Sequence, residues 1–428
     1  MKIVICGMGY VGITVSACLL KQGHHVVGVD IDPAKVDLLA RGVSPINEPE
    51  IDGLLQSGLQ AGLLTSDTNL KPHLVDASMV FVCVGTPTAE DGSLDNRYLR
   101  QAAADIGQGV TQRPADAESL ICVIRSTAPP TTIRSLIVPT MEAASGESPG
   151  SGRYDVVFNP EFLRESTAVY DYFNPPKIVI GEREQGVSDR MRGIYDGIDA
   201  PLFEVSWEVA EMVKFTDNAF HALKVSFSNE IGRLAQTLGV DPAQTMDIFV
   251  SDTKLNISPY YMKPGGAFGG SCLPKDVRAI NALGHGASVD MPIMANIMNS
   301  NQSHKDYLAQ RVMTRTPKGG RILQLGLSFK TNTDDLRESP LLDLANTLIG
   351  EGYVVDIYDP DLSSADGQQP TLQHMALQEN NPQVSQAMID KLPDMAPYDV
   401  VVFGKAIIDM RELKPLGDKV INIHRLEG

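Results

Sequence analysis

The sequence is poor in basic residues relative to acidic ones and has no long apolar run, and both absences exclude classes of protein. Lys and Arg number 36 against 53 Asp and Glu in 428 residues, which gives a formal net charge of −17. Binding to nucleic acid or to an anionic membrane surface needs a basic face, so we expect neither partner. No uninterrupted apolar stretch reaches the roughly 18 residues that a membrane-spanning helix needs, so we expect no membrane segment.

Cysteine is also scarce, with five residues that are widely spaced and odd in number. No Cys-x-x-Cys pair is present, so we predict no metal site. Cys6, Cys83 and Cys122 lie in apolar runs, where cysteine behaves as a small hydrophobic residue. Met1 leads directly into a strand-like run and not into a signal peptide. Together these features predict a reducing, cytoplasmic location.

Over its first 200 residues the sequence alternates short runs rich in Val and Ile with helix-like segments. The runs predict strands at 2–6, 25–30, 79–85, 120–126, 156–159 and 177–181. Most are continuously apolar, as in parallel strands that are covered on both faces. Alternation of such strands with helices predicts a doubly wound sheet with right-handed crossovers.

From about residue 205 the pattern changes to long helices, the first of which is predicted over 205–238 with Gly239 just past its end. Helical segments continue to about residue 315, where a Thr-Pro-Lys-Gly-Gly segment marks a boundary. Strands then return at 321–327, 353–358, 399–403 and 419–423. We therefore predict an α/β protein of three domains, at residues 1–203, 204–315 and 316–428.

A glycine motif lies at the first predicted turn. The residues Gly7-Met8-Gly9-Tyr10-Val11-Gly12 fit GxGxxG directly after a strand, and Asp30 ends the second strand near the expected spacing of about 20 residues. The glycines let the backbone approach a pyrophosphate at a helix N-terminus, and the carboxylate would bind ribose hydroxyls. Asp30 and Asp32 would repel a 2′-phosphate, so NAD is predicted over NADP. The alternative is a tight turn without a ligand.

Three further turns follow apolar strands. Thr86 and Thr127 stand in the segments GTP and RST, and ligands of doubly wound sheets bind at the carboxyl ends of strands. Both threonines are therefore predicted to touch the dinucleotide, although ordinary turn chemistry would also explain them. Glu161 in NPE follows the fifth run at the same edge, where it could act as a base, bind substrate or cap a helix.

Cys272 differs from the other cysteines because it follows two glycines and precedes Pro274. Proline is favoured at the start of a helix. A helix N-terminus and the nearby Lys275 would both favour the thiolate, which is the form that a nucleophilic cysteine requires. The alternative is a structural cysteine in a tight loop.

The long helix carries a polar stripe within roughly an 80° arc, formed by Lys214, Asn218, His221 and Asn229. Asparagine is a poor helix former, so two on one stripe suggest a recognition task, with a solvated face as the alternative. The opposite side is predicted to face a core through Phe215, Ala219, Leu223, Phe227 and Leu234.

Assembled, these segments resemble the nucleotide-sugar 6-dehydrogenases, the UDP-glucose/GDP-mannose dehydrogenase family. The resemblance covers nearly the whole chain and rests on GMGYVG, VGTP, RSTAPPT, NPEFLREST, VAEMVKFTDNAFHALKVSFSNEIG, GGAFGGSCLPKD and GLSFKTNTDDLRESP. It implies an N-terminal Rossmann-type NAD domain, a central long-helix dimerisation domain and a C-terminal Rossmann-like nucleotide-sugar domain. His221, Leu273 and the Tyr260-Tyr261 pair favour the branch that oxidises GDP-mannose, with UDP-glucose or a UDP-aminosugar as the alternative substrate.

The resemblance also implies a reaction, in which two NAD oxidise the C6 alcohol to a carboxylate. Cys272 forms a thiohemiacetal and then a thioester, which water hydrolyses. Lys214 and Asn218 would stabilise the C6 oxyanion. Glu161 and Asp276, assisted by Thr127, would handle water and protons. Two rival functions remain, a one-step hydroxyacid dehydrogenase and a non-catalytic NAD-binding sensor.

Binding residues are implied in the same way. For NAD they are Gly7, Gly9, Tyr10, Val11, Gly12, Asp30, Lys35, Thr86, Thr127, Lys275 and Arg337. For the nucleotide sugar they are Glu161, Lys214, Asn218, His221, Asn229, Tyr260, Tyr261, Gly266 and Lys330, with Lys263 supplied by the partner chain of a homodimer or higher oligomer. Lys263 replaces the family's usual Arg and loses its bidentate fork. The product would serve polysaccharide synthesis, of which alginate is the family's example.

Overall fold

The computed structural model describes residues 1–90, 93–184, 186, 189–259, 262, 265–270, 272–328, 334–362 and 372–423. The chain divides into two compact units, Met1–His221 and Ala222–Gly428. This division does not test the three predicted domains, whose boundaries after residues 203 and 315 stay a prediction. Each unit contains its own sheet, and the two are described separately below.

The first unit is built on an eight-stranded sheet with the order β3-β2-β1-β4-β5-β6-β7-β8. Its strands are β1 Lys2–Cys6, β2 His25–Val29, β3 Leu64–Asp67, β4 Met79–Val82, β5 Leu120–Ile124, β6 Tyr154–Phe158, β7 Ile178–Glu182 and β8 Leu202–Ser206. The predicted doubly wound sheet is confirmed, since six of its seven strand pairs are parallel. The exception is β6 with β7, which pair antiparallel.

Helices cover both faces of this sheet. They are α1 Tyr10–Lys21, α2 Pro33–Leu39, α3 Ile51–Gln60, α4 Arg97–Thr111, α5 Val138–Ser145, α6 Ala168–Phe173, α7 Asp189–Arg192 and α8 Trp207–Thr237. Ile3 and Ile5 of β1 belong to one buried apolar cluster, and Val4 between them belongs to another. Successive side chains of a strand point to opposite faces, so the continuous apolar runs do reflect strands buried on both sides.

The second unit contains a four-stranded parallel sheet with the order β10-β9-β11-β12. Its strands are β9 Arg321–Leu325, β10 Val354–Tyr358, β11 Val400–Phe403 and β12 Val420–Asn422, and all four were predicted. Its helices are α9 Pro242–Val250, α10 Leu273–Gly286, α11 Pro292–Arg315, α12 Pro340–Gly350, α13 Leu372–Asn380, α14 Pro382–Ala387 and α15 Met410–Leu413. The α/β fold class is therefore confirmed.

The long helix α8 begins and ends within two residues of its predicted bounds, and Gly239 beyond it takes a left-handed φ of 72°. The apolar stripe predicted to face a core is buried at Leu234 but exposed at Ala219 and at Leu223, whose exposed fraction is 47%. That part of the prediction was wrong. Helical periodicity identifies an apolar face, but it does not identify what covers it. No described helix is long and apolar enough to cross a membrane.

Candidate active site

The glycine motif forms the turn between β1 and α1. Gly7 has a φ of 97°, and a Cβ there would lie 2.9 Å from the backbone of Cys83. A Cβ at Gly12 would lie 1.9 Å from the carbonyl oxygen of Gly7. By contrast, nothing lies within 4 Å of a Cβ at Gly9, the residue at which α1 starts without a side-chain cap. The turn thus leaves the amides at the helix N-terminus open to a pyrophosphate.

Asp30 directly follows β2 beside this turn and is buried. Its carboxylate accepts hydrogen bonds from the backbone N–H of Met8 at 2.7 Å and of Asp32 at 2.9 Å, and pairs with Lys35 at 3.0 Å. Burial acts to raise the pKa of Asp30, but the two backbone donors and Lys35 outweigh it and hold the pKa below its ordinary value. An ionised carboxylate here can accept ribose hydroxyls and would repel a 2′-phosphate. Asp30 and Lys35 therefore lie together, as a site for NAD requires.

The turns after β4 and β5 meet at the same sheet edge. The hydroxyl of Thr86 donates to the carbonyl oxygen of Thr127 at 3.1 Å, and the hydroxyl of Ser126 donates to that of Val84 at 2.6 Å. Of the remaining predicted NAD residues in this unit, Val11 packs against the core and Tyr10 donates its hydroxyl to Glu48 at 2.9 Å.

A buried ion pair stands at the carboxyl end of β6. The ammonium of Lys214 on α8 lies 2.8 Å from the Oε1 of Glu161 and 2.7 Å from its carbonyl oxygen. The side chains are only 8% and 14% exposed. Charges interact more strongly where water is excluded, so this pair is suited to a site where charge develops. Asn218 and His221 continue along α8 and are exposed.

Cys272 lies exposed immediately before α10, as predicted, and the buried Pro274 is in the first turn of that helix. Lys275 and Asp276 follow it and form an exposed ion pair of 3.3 Å. Arg337 is held by the carboxylate of Asp335 at 2.7 Å, which raises the pKa of Arg337, and Cys272 makes a smaller contribution in the same direction. Among the predicted residues of this unit, Arg337 is therefore electrostatically linked to the thiol.

The loop that precedes Cys272 is held at several points. The buried carboxamide of Asn301 on α11 donates to the carbonyl oxygen of Phe268 at 2.9 Å and accepts from its N–H at 3.0 Å. A Cβ at Gly269 would lie 2.3 Å from the carbonyl oxygen of Glu338, so that glycine allows a close approach. Phe268 and Gly269 are therefore held by contacts with α11 and with Glu338.

Gly266, a predicted substrate residue, lines a cavity of about 180 Å³ in the second unit. The cavity lies beside Gly404, which follows β11, and beside Ile423, which follows β12. Its other walls include Lys305 of α11 and Leu341 of α12. Ligands of parallel sheets bind at this edge, and the volume is below the usual 300–1,000 Å³ of a whole ligand site. The cavity therefore suits one part of a nucleotide sugar.

The start of the turn after β9 shares one hydrogen bond with the glycine turn but differs in the exposure of its carboxylate. Asp359, which follows β10, accepts the N–H of Leu327 at 2.8 Å, as Asp30 accepts that of Met8. Here, however, Lys405 pairs with Asp359 at 2.8 Å, and the two side chains are 2% and 0% exposed. Asp359 is therefore closed off from solvent, whereas Asp30 is 8% exposed, so in the described part of the second unit Asp359 does not offer a ribose the acceptor that Asp30 offers.

Four predicted substrate residues lie outside the described part of the chain: Tyr260, Tyr261, Lys263 and Lys330. Asn229 is exposed on α8.

The sequence patterns did not predict two buried carboxylates that bind loops of the site. Glu48 accepts the N–H of Ser166 at 2.8 Å, and Glu211 accepts that of Thr131 at 2.6 Å. Only Glu211 had a usable signal, since it lies one helical turn before Lys214.

Three family profiles together match most of the chain. They are described as the NAD binding domain of the UDP-glucose/GDP-mannose dehydrogenase family at residues 1–199, its central domain at 208–303 and its UDP binding domain at 323–411. They confirm the predicted N-terminal NAD domain, and the C-terminal domain is described as nucleotide-binding.

Full-length relatives agree with these profiles. The chain is 40% identical over 427 residues to a GDP-mannose 6-dehydrogenase of Pseudomonas aeruginosa, covering 99% of this chain and 96% of the relative. It is 32% identical over 365 residues to a UDP-glucose 6-dehydrogenase of Bacillus subtilis, covering 84% of this chain and 80% of the relative.

A solved structure is also similar over nearly the whole chain. It is a ternary complex of GDP-mannose dehydrogenase from P. aeruginosa, with a TM-score of 0.93, 40% identity and coverage of 99% of this chain and 96% of that one. The glycine turn, the ionised Asp30 and these likenesses confirm the predictions of an enzyme and of NAD as its cofactor. The chain therefore belongs to the UDP-glucose/GDP-mannose dehydrogenase family and is an NAD-dependent nucleotide-sugar dehydrogenase.

Proposed function

We propose that the protein oxidises GDP-mannose at C6 to GDP-mannuronate, in two hydride transfers that consume two NAD. The main observation in support of this chemistry is the buried ion pair of Lys214 and Glu161, whose charged atoms lie 2.8 Å apart. Support for the sugar comes from the 40% identity to a GDP-mannose 6-dehydrogenase and from His221 and Leu273 in the sequence. UDP-glucose, the substrate named for another relative, is the alternative.

NAD bound at the glycine turn would supply the hydride acceptor for the first oxidation, in which C6 loses a hydride and the C6 hydroxyl loses its proton. Negative charge develops on the C6 oxygen as the proton leaves, and the ammonium of Lys214 and the carboxamide of Asn218 stabilise it. The carboxylate of Glu161, assisted by Thr127, receives the proton through water. The product of this step is an aldehyde.

Cys272 carries the second oxidation. Its thiolate adds to the aldehyde carbon, which forms a C–S bond and leaves a thiohemiacetal oxygen on C6. Loss of a second hydride from C6 gives a thioester. Water, activated by Glu161 or Asp276, then attacks the carbonyl carbon, the C–S bond breaks, and the thiolate and the uronate carboxylate are released. Cys272 is exposed at the start of α10, so its sulfur is accessible to the aldehyde.

For the cofactor we propose the residues of the glycine turn (Gly7, Gly9, Tyr10, Val11 and Gly12) together with Asp30, Lys35, Thr86, Thr127, Lys275 and Arg337. For the nucleotide sugar we propose Glu161, Lys214, Asn218, His221, Asn229, Tyr260, Tyr261, Gly266 and Lys330. The 180 Å³ cavity at Gly266 supports placing part of the nucleotide in the second unit.

A homodimer remains part of the proposal, with Lys263 reaching the partner's site. Leu223 and Val225 near the middle of α8 are 47% and 51% exposed, which supports burial of this helix against a second copy. A monomer in sedimentation velocity would contradict this. The predicted cytoplasmic location agrees with five free cysteines, and export of the protein would contradict it. A role in alginate-type polysaccharide synthesis follows only if the product is a mannuronate.

The test is NADH stoichiometry with purified protein and limiting GDP-mannose, with UDP-glucose as the parallel substrate. We expect two NADH for each GDP-mannose and little turnover of UDP-glucose, and we expect Cys272→Ser to abolish the overall reaction. Preference for UDP-glucose would contradict the sugar assignment and leave the mechanism intact. One NADH per substrate, or full activity without Cys272, would contradict covalent catalysis. No NADH with any nucleotide sugar would favour a non-catalytic NAD-binding protein.

A further inference from the structure

Glu211 is a fully buried carboxylate near the start of α8. Each of its two oxygens accepts a hydrogen bond from the same backbone segment. Oε2 accepts the N–H of Thr131 at 2.6 Å, and Oε1 accepts the N–H of Ile133 at 2.9 Å. This segment follows β5 and belongs to the loop that also carries Thr127. A buried side chain with two such bonds has one geometry, so the loop is tied to α8.

The segment that Glu211 holds is strained. Thr131 has a φ of 77°, in the left-handed region. A β-branched residue rarely adopts this conformation, because its side chain meets the backbone there. Such strain persists only where surrounding contacts enforce it, and it concentrates at functional sites. The hydrogen bond from Thr131 to Glu211 is a contact of this kind.

One turn further along α8 lies Lys214, whose ammonium binds Glu161 in the loop after β6. The first turns of α8 therefore hold two loops at once, with Glu211 on the loop after β5 and Lys214 on the loop after β6. Residues three apart on a helix lie on the same face. Their spacing fixes how the loop of Thr127 stands relative to the buried ion pair.

We propose that Glu211 is a positioning residue for the oxidation. Its hydrogen bonds to the backbone at Thr131 and Ile133 fix the position of Thr127 relative to the Lys214–Glu161 pair. This inference rests on the proposed roles of Thr127, Lys214 and Glu161.

The charges around Glu211 make its protonation measurable. Burial raises the pKa of Glu211 to about 7, against hydrogen bonding from the backbone of Ile133, Thr131 and Thr132, and the neighbouring Glu208 acts in the same direction as burial. The other charged group at this place is Arg134, which pairs with Glu208 at 2.6 Å. A protonated Glu211 presents a hydroxyl to one of the two N–H groups and loses one bond. The hydrogen bonding between Glu211 and the loop after β5 therefore weakens as the pH falls through about 7.

The test compares Glu211→Gln with the control Glu208→Gln, which removes a carboxylate from the same helix one turn earlier. Glutamine keeps the shape but turns an NH₂ group toward one loop N–H. We expect kcat to fall roughly 10- to 100-fold in E211Q, as for a displaced catalytic group. In E208Q it should fall by less than about twofold, because the ion pair that this variant loses is an exposed one. The acidic limb of the kcat profile near pH 7 should be absent from E211Q. A purely structural role would not change the shape of that profile.

A second variant tests the strain directly. Glycine adopts a positive φ without cost, so Thr131→Gly in the E211Q background should recover roughly fivefold in kcat. Should E211Q fail to fold by circular dichroism, Glu211→Asp, which withdraws the carboxylate by one methylene, replaces it in both comparisons. A folded E211Q with the wild-type kcat and pH profile, or no recovery in the folded double variant, would overturn the inference. Wild-type inactivity on GDP-mannose would instead contradict the proposed function, and the comparison would then use whichever nucleotide sugar the wild type oxidises.

Discussion

Replacing Lys214 by Met should separate its catalytic contribution from its structural one. The change keeps the length of the side chain and removes the ammonium, which leaves Glu161 without its cation in a place where it is only 14% exposed. Loss of one group that stabilises a developing oxyanion costs about 10²–10³ in kcat. We therefore expect kcat for nucleotide-sugar oxidation to fall by that factor, because the C6 oxygen gains charge only as the reaction proceeds.

The structural effect follows from the same contact. Breaking a buried ion pair by removing one partner costs about 3–5 kcal/mol. Glu161 keeps the backbone N–H of Leu163 at 2.8 Å, so the lower end of this range applies. A loss of about 3 kcal/mol lowers the Tm of a unit of this size by about 6–12 °C, which differential scanning calorimetry would resolve.

Lys177→Met is the matched control. Lys177 also stands over the ring of Phe162, at 4.6 Å against 5.6 Å for Lys214, but it pairs with the half-exposed Asp217. A partly exposed pair contributes about 0–1 kcal/mol, so K177M should keep its Tm within about 4 °C and its kcat nearly unchanged. Equal kcat for K214M and wild type would refute the oxyanion role, and equal losses in both variants would show that the ring contact matters and the buried pair does not.

Three further predictions test other parts of the molecule. Iodoacetamide should label Cys272 first in the native protein by mass spectrometry, because it is exposed whereas burial raises the pKa of the other four thiols; equal labelling of a buried thiol would contradict this. Asp30→Ala should raise the KM for NAD about tenfold and reduce the preference for NAD over NADP, with both cofactors compared by initial rates. Because the pKa of Asp30 is lowered in the folded protein, its contribution to stability is present above the ordinary carboxyl pKa and is lost only as the pH falls through the lowered value. NAD affinity should therefore hold at pH 5, and a fall there would contradict an ionised Asp30. Lys405→Met should destabilise the second unit by about 3–5 kcal/mol, and a melting temperature equal to the wild type's would show that its ion pair with Asp359 contributes nothing.

Most of the fold could be predicted because its strands are continuous apolar runs. KIVIC and LICVI are buried on both faces and were placed correctly. The strand at Leu64–Asp67 was missed because three of its four residues, Thr65, Ser66 and Asp67, are polar. The strand at Leu202–Ser206 was missed because it lies at the sheet edge, where its residues are largely exposed and need no apolar pattern.

Residues of the candidate site could be predicted only where they belong to a short sequence motif. The glycine turn with Asp30, and Cys272 before a helix, are short-range patterns with a physical reason for each residue. The contact between Lys214 and Glu161 joins residues far apart in the chain, and no local pattern encodes it. The same holds for Glu48, whose partners Tyr10 and Ser166 come from two distant segments. Such contacts depend on tertiary packing, so they appear only in the folded chain.

The closed-off Asp359 of the second unit has a kinetic consequence. Asp359 is held by Lys405 and is shielded from solvent, so the described part of the second unit presents no accessible counterpart of Asp30 for a dinucleotide. Equilibrium dialysis should therefore give one NAD per protomer. The two successive oxidations that we propose would then exchange spent NADH for fresh NAD at the site beside the glycine turn while the sugar stays attached to the enzyme. NADH should accordingly inhibit in competition with NAD and not with the nucleotide sugar.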